Sequence, residues 1–128
     1  MEIGTGSGYQ AAILSLLAAE VWTIEIVEPL AARARALLQD LEYANVHVRV
    51  GDGSLGWPEH APFDRIIVTA AAPSVPQALI DQLGDPGILV APIGPPWGQE
   101  LVRSSKIGGA IRKSLLEPVA FVPLTHAP

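Results

Sequence analysis

The chain has 128 residues, 49% apolar and 16% charged, which is enough for one domain with a substantial core and excludes a disordered tail. Eight Lys and Arg against thirteen Asp and Glu leave a formal charge of −5, so there is no electrostatic footprint for nucleic acid or an anionic membrane. Without cysteine there is no disulfide, thiolate zinc site or Cys nucleophile, and two Phe, two Tyr and three Trp are too few for an aromatic nucleic-acid platform.

Met1-Glu2-Ile3 runs straight into a glycine-rich turn, Gly4-Thr5-Gly6-Ser7-Gly8. In nucleotide-type folds a complete strand precedes such a turn. Three residues supply only a stub, so the expectation is a single domain over residues 1–128 that lacks its amino-terminal part. Tyr9 to Ala19 carries Ala, Ile and Leu at helical spacing. Its apolar part, Ala11 to Ala19, is too short to span a bilayer and no basic region precedes it, so a cytoplasmic location is expected. Val21-Trp22-Thr23-Ile24-Glu25 reads as a strand ending in an acid. Pro29 suits a helix start, and the helix continues from Leu30 to Leu41.

Val46-His47-Val48-Arg49-Val50 alternates with period two and reads as a strand closed by Gly51-Asp52-Gly53, followed by a loop over Ser54 to Pro62. Phe63 to Thr69 is a nearly unbroken apolar run, as a buried parallel strand requires. A short helix over Pro76 to Leu83, a turn at Asp85-Pro86-Gly87 and a second buried strand over Ile88 to Ile93 follow. Glu100 to Ser105 and Ile111 to Leu116 resemble a hairpin with its tip at Gly108-Gly109, and Val119 to Val122 is a last apolar run closed by Pro123. The fold class is therefore α/β: a mostly parallel sheet with helices on both faces and antiparallel C-terminal edge strands.

The turn is spaced G-x-G-x-G. The dinucleotide fingerprint places its third glycine one residue later, beside a pyrophosphate, so the tighter spacing fits a ligand with no phosphates to cradle. Taken alone it is equally well an ordinary turn. Glu25, about twenty residues on, ends the next strand, where an acceptor-only carboxylate can take both ribose hydroxyls. Glu28 is the solvated acid beside it. Asp52-Gly53 ends the third strand, where the carboxylate can accept from an exocyclic amine and the glycine lets an adenine ring approach. By itself this pair is more simply a turn. Three successive strand ends so equipped point to an adenosyl ligand in the crevice outside the carboxyl ends of the strands.

Glu2-Ile3-Gly4-Thr5-Gly6-Ser7-Gly8-Tyr9 resembles motif I of class I S-adenosylmethionine-dependent methyltransferases, which have a Rossmann-like sheet. More narrowly, the chain resembles the protein-L-isoaspartate O-methyltransferase family. Val21 to Glu25, Asn45 through Gly53, Leu55-Gly56-Trp57-Pro58, Phe63 to Ala71, Val90-Ala91-Pro92-Ile93-Gly94 and Phe121-Val122-Pro123-Leu124-Thr125 carry that likeness. The Thr-Ala-Ala segment and the Val-Pro-Leu-Thr ending are its more specific parts. The resemblance implies that S-adenosylmethionine is held by Gly4, Gly6, Ser7 and Gly8, with Glu25 at its ribose, Asp52 and Gly53 at its adenine, and Ile26 among its binding residues. Val122 would lie beside an isoaspartyl substrate, and Thr125 near both ligands.

It further implies esterification of the free carboxylate of isoaspartyl residues in damaged proteins, a repair reaction whose ester collapses to a succinimide. The partners would be isoaspartyl-containing proteins or peptides, with no nucleic acid and no membrane. The family is monomeric, and a shortened chain is expected to self-associate. The family's long segment before motif I, with its Ser/Thr-rich turn and functional serine, has no counterpart here, so no catalytic serine is assigned. A second departure is Asp85-Pro86-Gly87-Ile88, where the family usually has Pro-Gly-Gly.

An ionised carboxylate needs no general base to attack a sulfonium methyl, and alignment and desolvation supply most of the acceleration. His47, His60 and His126 read as surface or satisfied histidines, and no metal cluster is expected. Thr5 stands where a hydrolase elbow needs glycine. The alternatives are a carboxyl methyltransferase acting on a dedicated peptide and a non-catalytic cofactor-binding fragment. A dinucleotide oxidoreductase is disfavoured by the glycine spacing.

Overall fold

The alternating Val46–Val50 run becomes a strand because β-branched residues suit a pleated, half-buried surface, and its Val46 and Val48 pack partly against the core. The computed structural model describes residues 1–128. They form two compact units, Met1–Gly53 with Thr125–Pro128, and Ser54–Leu124.

In the first unit β1 (Glu2–Ile3), α1 (Tyr9–Ser15), β2 (Val21–Glu25), α2 (Glu28–Asp40) and β3 (Val46–Val50) alternate, and the strands pair in parallel in the order β3-β2-β1. Val21 pairs with Val46 and Glu25 with Val50, so the acid and the end of β3 come level. Ala11, Val21 and Leu38 form the core where α1 and α2 meet the sheet. Pro29 sits in the first turn of α2, where its missing N–H costs nothing.

α1 stops at Ser15, short of the expected Ala19. The side-chain amide of Asn45 donates to the carbonyl oxygens of Ser15, Ala18 and Ala19 at 2.9, 3.2 and 3.3 Å, which satisfies a chain end that the helix no longer can. Apolar side chains stay outward on α1 and α2 and just past their C-terminal ends. Tyr9 and Leu17 are 75% and 80% exposed, and Ile13, Leu37 and Leu41 line a cavity of about 370 Å3 between the helices.

The second unit contains β4 (Phe63–Val68), α3 (Gln77–Gln82), β5 (Leu83–Ile93), β6 (Gln99–Ile107) and β7 (Ala110–Val119), in the order β4-β5-β6-β7. β4 and β5 are parallel, and β5-β6 and β6-β7 are antiparallel, as the alternation and the hairpin imply. The expected turn at Asp85-Pro86-Gly87 lies inside β5 as a ladder irregularity, since Phe63 pairs with Leu83 but Arg65 with Ile88. The Asp85 carboxylate accepts from the Gly108 and Gly109 N–H groups, tying this stretch to the β6-β7 tip. Both tip glycines have positive φ, 60° and 79°, as a tight two-residue hairpin demands. β7 pairs only with β6. Two short 3-10 turns, Gly53–Leu55 and Pro58–His60, fall in the expected loop.

Candidate functional site

The glycine turn leaves β1 with the N–H of Gly4 donating to the carbonyl of Ile24 at 2.8 Å, which brings it to the end of β2. Gly4, Gly6 and Gly8 have φ values of 98°, 54° and 87°, a left-handed backbone that side chains rarely adopt. Two of these glycines serve different ends. A Cβ on Gly8 would press on Leu38 and Ala34 of α2, whereas one on Gly6 would meet nothing within 4 Å. The turn therefore packs on one side and lies open on the other. Ser7 is exposed, its hydroxyl accepting weakly from the Tyr9 N–H at 3.4 Å.

Beneath the turn runs a buried polar thread. The Thr23 hydroxyl donates to Glu2 Oε1 at 2.6 Å, and the Gln10 amide donates to Glu2 Oε2 at 2.9 Å. Since Thr23 has spent its one proton, the Thr5 hydroxyl, 2.6 Å away, donates to Thr23. Burial pushes the Glu2 carboxyl above its ordinary value, opposed by the Thr23 and Gln10 hydrogen bonds. The sequence assigns no site role to Glu2, Thr5, Gln10 or Thr23, although an acid in the three-residue stub before the glycine turn is the available signal.

Glu25 is 8% exposed at the end of β2. Its Oε2 accepts from the Gly6 N–H at 2.8 Å and its Oε1 from the Val27 N–H at 3.0 Å, so one carboxylate fixes both the glycine turn and the entry to α2. Each oxygen keeps a lone pair for a further donor. Ile26, half-buried, follows it. The Gly51 N–H donates to the Glu25 carbonyl, which joins the ends of β2 and β3. Asp52 Oδ2 accepts from the Ala127 N–H at 3.0 Å and lies 3.7 Å from His126 Nδ1. Thr125 is exposed just ahead of these tail residues. Gly53 also packs against β1: a Cβ there would fall 2.3 Å from Ile3 Cγ2. Gly4, Gly6, Ser7, Gly8, Glu25, Ile26, Asp52, Gly53 and Thr125 thus all belong to the first unit.

Val122 belongs to the second. Its carbonyl accepts from the Ala71 N–H at 2.8 Å, and the Leu124 N–H donates to the Ala71 carbonyl at 2.7 Å. Its side chain is 70% exposed. Of the histidines, His47 stacks on Trp22 and contacts Glu20 Oε2 at 2.6 Å, and His60 lies edge-on to Trp57.

Residues 1–128 match a family model described as protein-L-isoaspartate(D-aspartate) O-methyltransferase. The protein-L-isoaspartate O-methyltransferase of Anaeromyxobacter dehalogenans (strain 2CP-1 / ATCC BAA-258) is 56% identical over 131 residues, covering all of this chain and 63% of that protein. The chain spans between 61% and 63% of the length of the first three such relatives. A solved protein-L-isoaspartate O-methyltransferase superposes with a TM-score of 0.89 at 28% identity, covering 95% of this chain and 40% of its own. A Plasmodium falciparum structure assigned to the same activity, in complex with S-adenosyl-L-homocysteine, gives 0.84 at 26%, covering 97% and 64%. The strand and helix arrangement is thus that of Rossmann-like methyltransferases.

Proposed function

The chain belongs to the protein-L-isoaspartate(D-aspartate) O-methyltransferase family, and from that premise we propose that it transfers a methyl group from S-adenosylmethionine to the free carboxylate of isoaspartyl residues in damaged proteins. The observation that carries the reading is the Glu25 carboxylate, withdrawn from water, bonded to the open glycine turn through Gly6, and still able to accept.

The residues present fit that cofactor. The open side of Gly6 gives it backbone to lie on, Glu25 accepts from ribose hydroxyls, and Asp52 accepts from an exocyclic amine, with Ile26 and Gly53 alongside. Gly4 and Gly8 set the turn's path and Ser7 faces solvent at its crest. When bound, the cofactor supplies an electrophilic methyl on a sulfonium, which an ionised carboxylate can attack without a general base. The chain's contribution is then alignment and exclusion of water. Val122 is assigned to the acceptor peptide, and Thr125 to both the cofactor and that peptide. Residues 1–128 act together as one S-adenosylmethionine-binding domain. No helix is long and apolar enough to cross a membrane, and we place the reaction in the cytoplasm.

Calorimetry with S-adenosylhomocysteine, set beside transfer of a labelled methyl group to an L-isoaspartyl peptide and to its aspartyl isomer, tests the reading. Binding with transfer only to the isoaspartyl peptide is expected. Binding without transfer to either marks a cofactor-binding module, and transfer to a dedicated aspartyl peptide marks the other carboxyl methyltransferase.

A further inference from the structure

We propose that Gln99 is a positioning residue for the acceptor peptide: its buried amide fixes Phe121 and so holds Val122 to Leu124 as a rigid platform on Ala71. The proposal rests on the reading of Val122 as acceptor-facing.

Gln99 opens β6 and is 5% exposed, and it commits both polar ends of its side chain to a single residue. Its Nε2 donates to the Phe121 carbonyl at 3.0 Å, and its Oε1 accepts from the Phe121 N–H at 2.6 Å. That is the bond pair one strand residue gives another, supplied by a side chain just beyond Val119, where the β6-β7 ladder ends. A buried side-chain amide satisfied twice is costly to break, because the Gln99 end of both bonds has little water to replace them.

The next residues show what the anchor sets. Ala71 forms a parallel bridge with Pro123, flanked by its bonds to Val122 and Leu124, while Ala72 bonds to Pro92 and Gly94 on its other side. The segment therefore lies past the carboxyl end of β4, the end at which open parallel sheets receive ligands. Val122 has its backbone held and its apolar side chain in solvent. An isoaspartyl linkage differs from an aspartyl one by an extra methylene in the main chain. Telling them apart requires a surface of fixed geometry, which needs a support that does not move with the ligand.

Gln82 supplies a matched comparison. It is 9% exposed and holds another loop in the same way, accepting from the Trp57 N–H at 2.8 Å and donating to the Leu55 carbonyl at 2.9 Å. The test uses the full chain with Gln99→Met and Gln82→Met, which keep volume and remove the amide. Binding of a dye-labelled L-isoaspartyl peptide should weaken about tenfold in Gln99→Met, the loss of roughly one net hydrogen bond, with S-adenosylhomocysteine affinity within about twofold of wild type. Gln82→Met should lose stability and keep peptide affinity. Equal weakening in the two variants, or none in Gln99→Met, overturns the proposal. In the unsubstituted chain the same peptide should slow amide hydrogen exchange at Val122 and Leu124, and unchanged exchange there overturns it whether or not the variants fold. If the unsubstituted chain binds S-adenosylhomocysteine but neither isoaspartyl peptide nor its isomer, the proposed substrate fails first and this proposal with it.

Discussion

Replacing Glu25 with Ala should damage the protein twice, and the two losses can be read separately. The substitution deletes the acceptor for the Gly6 N–H at 2.8 Å and for the Val27 N–H at 3.0 Å. Hydrogen bonds to a charged group contribute on the order of 1.5–3 kcal/mol each. Both amides are only partly buried, so water recovers some of this, and about 2–4 kcal/mol of folding stability should go. That is a large share of a typical domain's roughly 5–15 kcal/mol. The cofactor loses its ribose acceptor as well, which at about 1.5–3 kcal/mol is a ten- to hundredfold rise in dissociation constant.

Glu25→Gln separates charge from shape. It keeps one acceptor but turns an NH2 group toward a backbone N–H, so its stability should fall between wild type and Ala. Glu28, exposed in the first turn of α2, is the control, because Glu28→Ala removes only a favourable charge at a helix start. Urea denaturation gives the first loss and calorimetric titration of S-adenosylhomocysteine the second. If Glu25→Ala and Glu28→Ala weaken binding equally, the ribose assignment is wrong. If Glu25→Ala unfolds at the wild-type urea midpoint, the carboxylate does not brace the turn.

Asp52→Ala should weaken S-adenosylhomocysteine more than an analogue lacking the exocyclic amine, and equal losses would leave Asp52 only its bond to the Ala127 N–H. Burial raises the Glu2 carboxyl, so the folded state prefers it neutral; its stabilising contribution is complete below the ordinary carboxylate range and is lost as pH rises through the raised value. Glu2→Gln should therefore gain stability relative to wild type as pH rises from the ordinary carboxylate range through the raised value, and parallel stability curves would refute this. Gly53→Ala places a Cβ 2.3 Å from Ile3 Cγ2 and should cost about 1–3 kcal/mol; Ile3→Leu in the same chain, which keeps the volume but removes that β-branch methyl, should recover part of it by thermal melting. The apolar face of α1 and α2 should make the chain self-associate with concentration, and Leu37→Glu should reverse this in sedimentation velocity; a wild-type monomer at all concentrations rules it out.

The sequence displays features whose cause is local and hides those whose cause is a distant partner. The strands from Val21, Val46 and Phe63 follow from apolar pattern alone, and the Gly108-Gly109 tip from turn chemistry. The early end of α1 depends on Asn45, thirty residues on, taking its carbonyls. Asp85-Pro86-Gly87 reads as a turn until its carboxylate is seen to hold the β6-β7 tip. At the site, Glu25 stands out as an acid ending a strand, yet its grip on Gly6 exists only once β1 and β2 pair. Gln99 carries no signal at all, because any surface strand can start with glutamine. Gly53 is legible as half of an Asp-Gly turn, whereas its approach to Ile3, fifty residues away, is not.

β7 has an unpaired side, and its residues govern how this chain would fail when crowded. Arg112 and Lys113 put two positive charges on that strand, and Pro118 removes one of its donors. A second chain adding itself to β7 in parallel and in register would bring these cations together. Ladder growth in that register is therefore disfavoured at the β7 edge, whereas the exposed apolar side chains around α1 and α2 remain free to stick. Overexpressed chain should accumulate as amorphous deposits stuck together through side chains, which stain poorly with cross-β dyes and redissolve in mild denaturant.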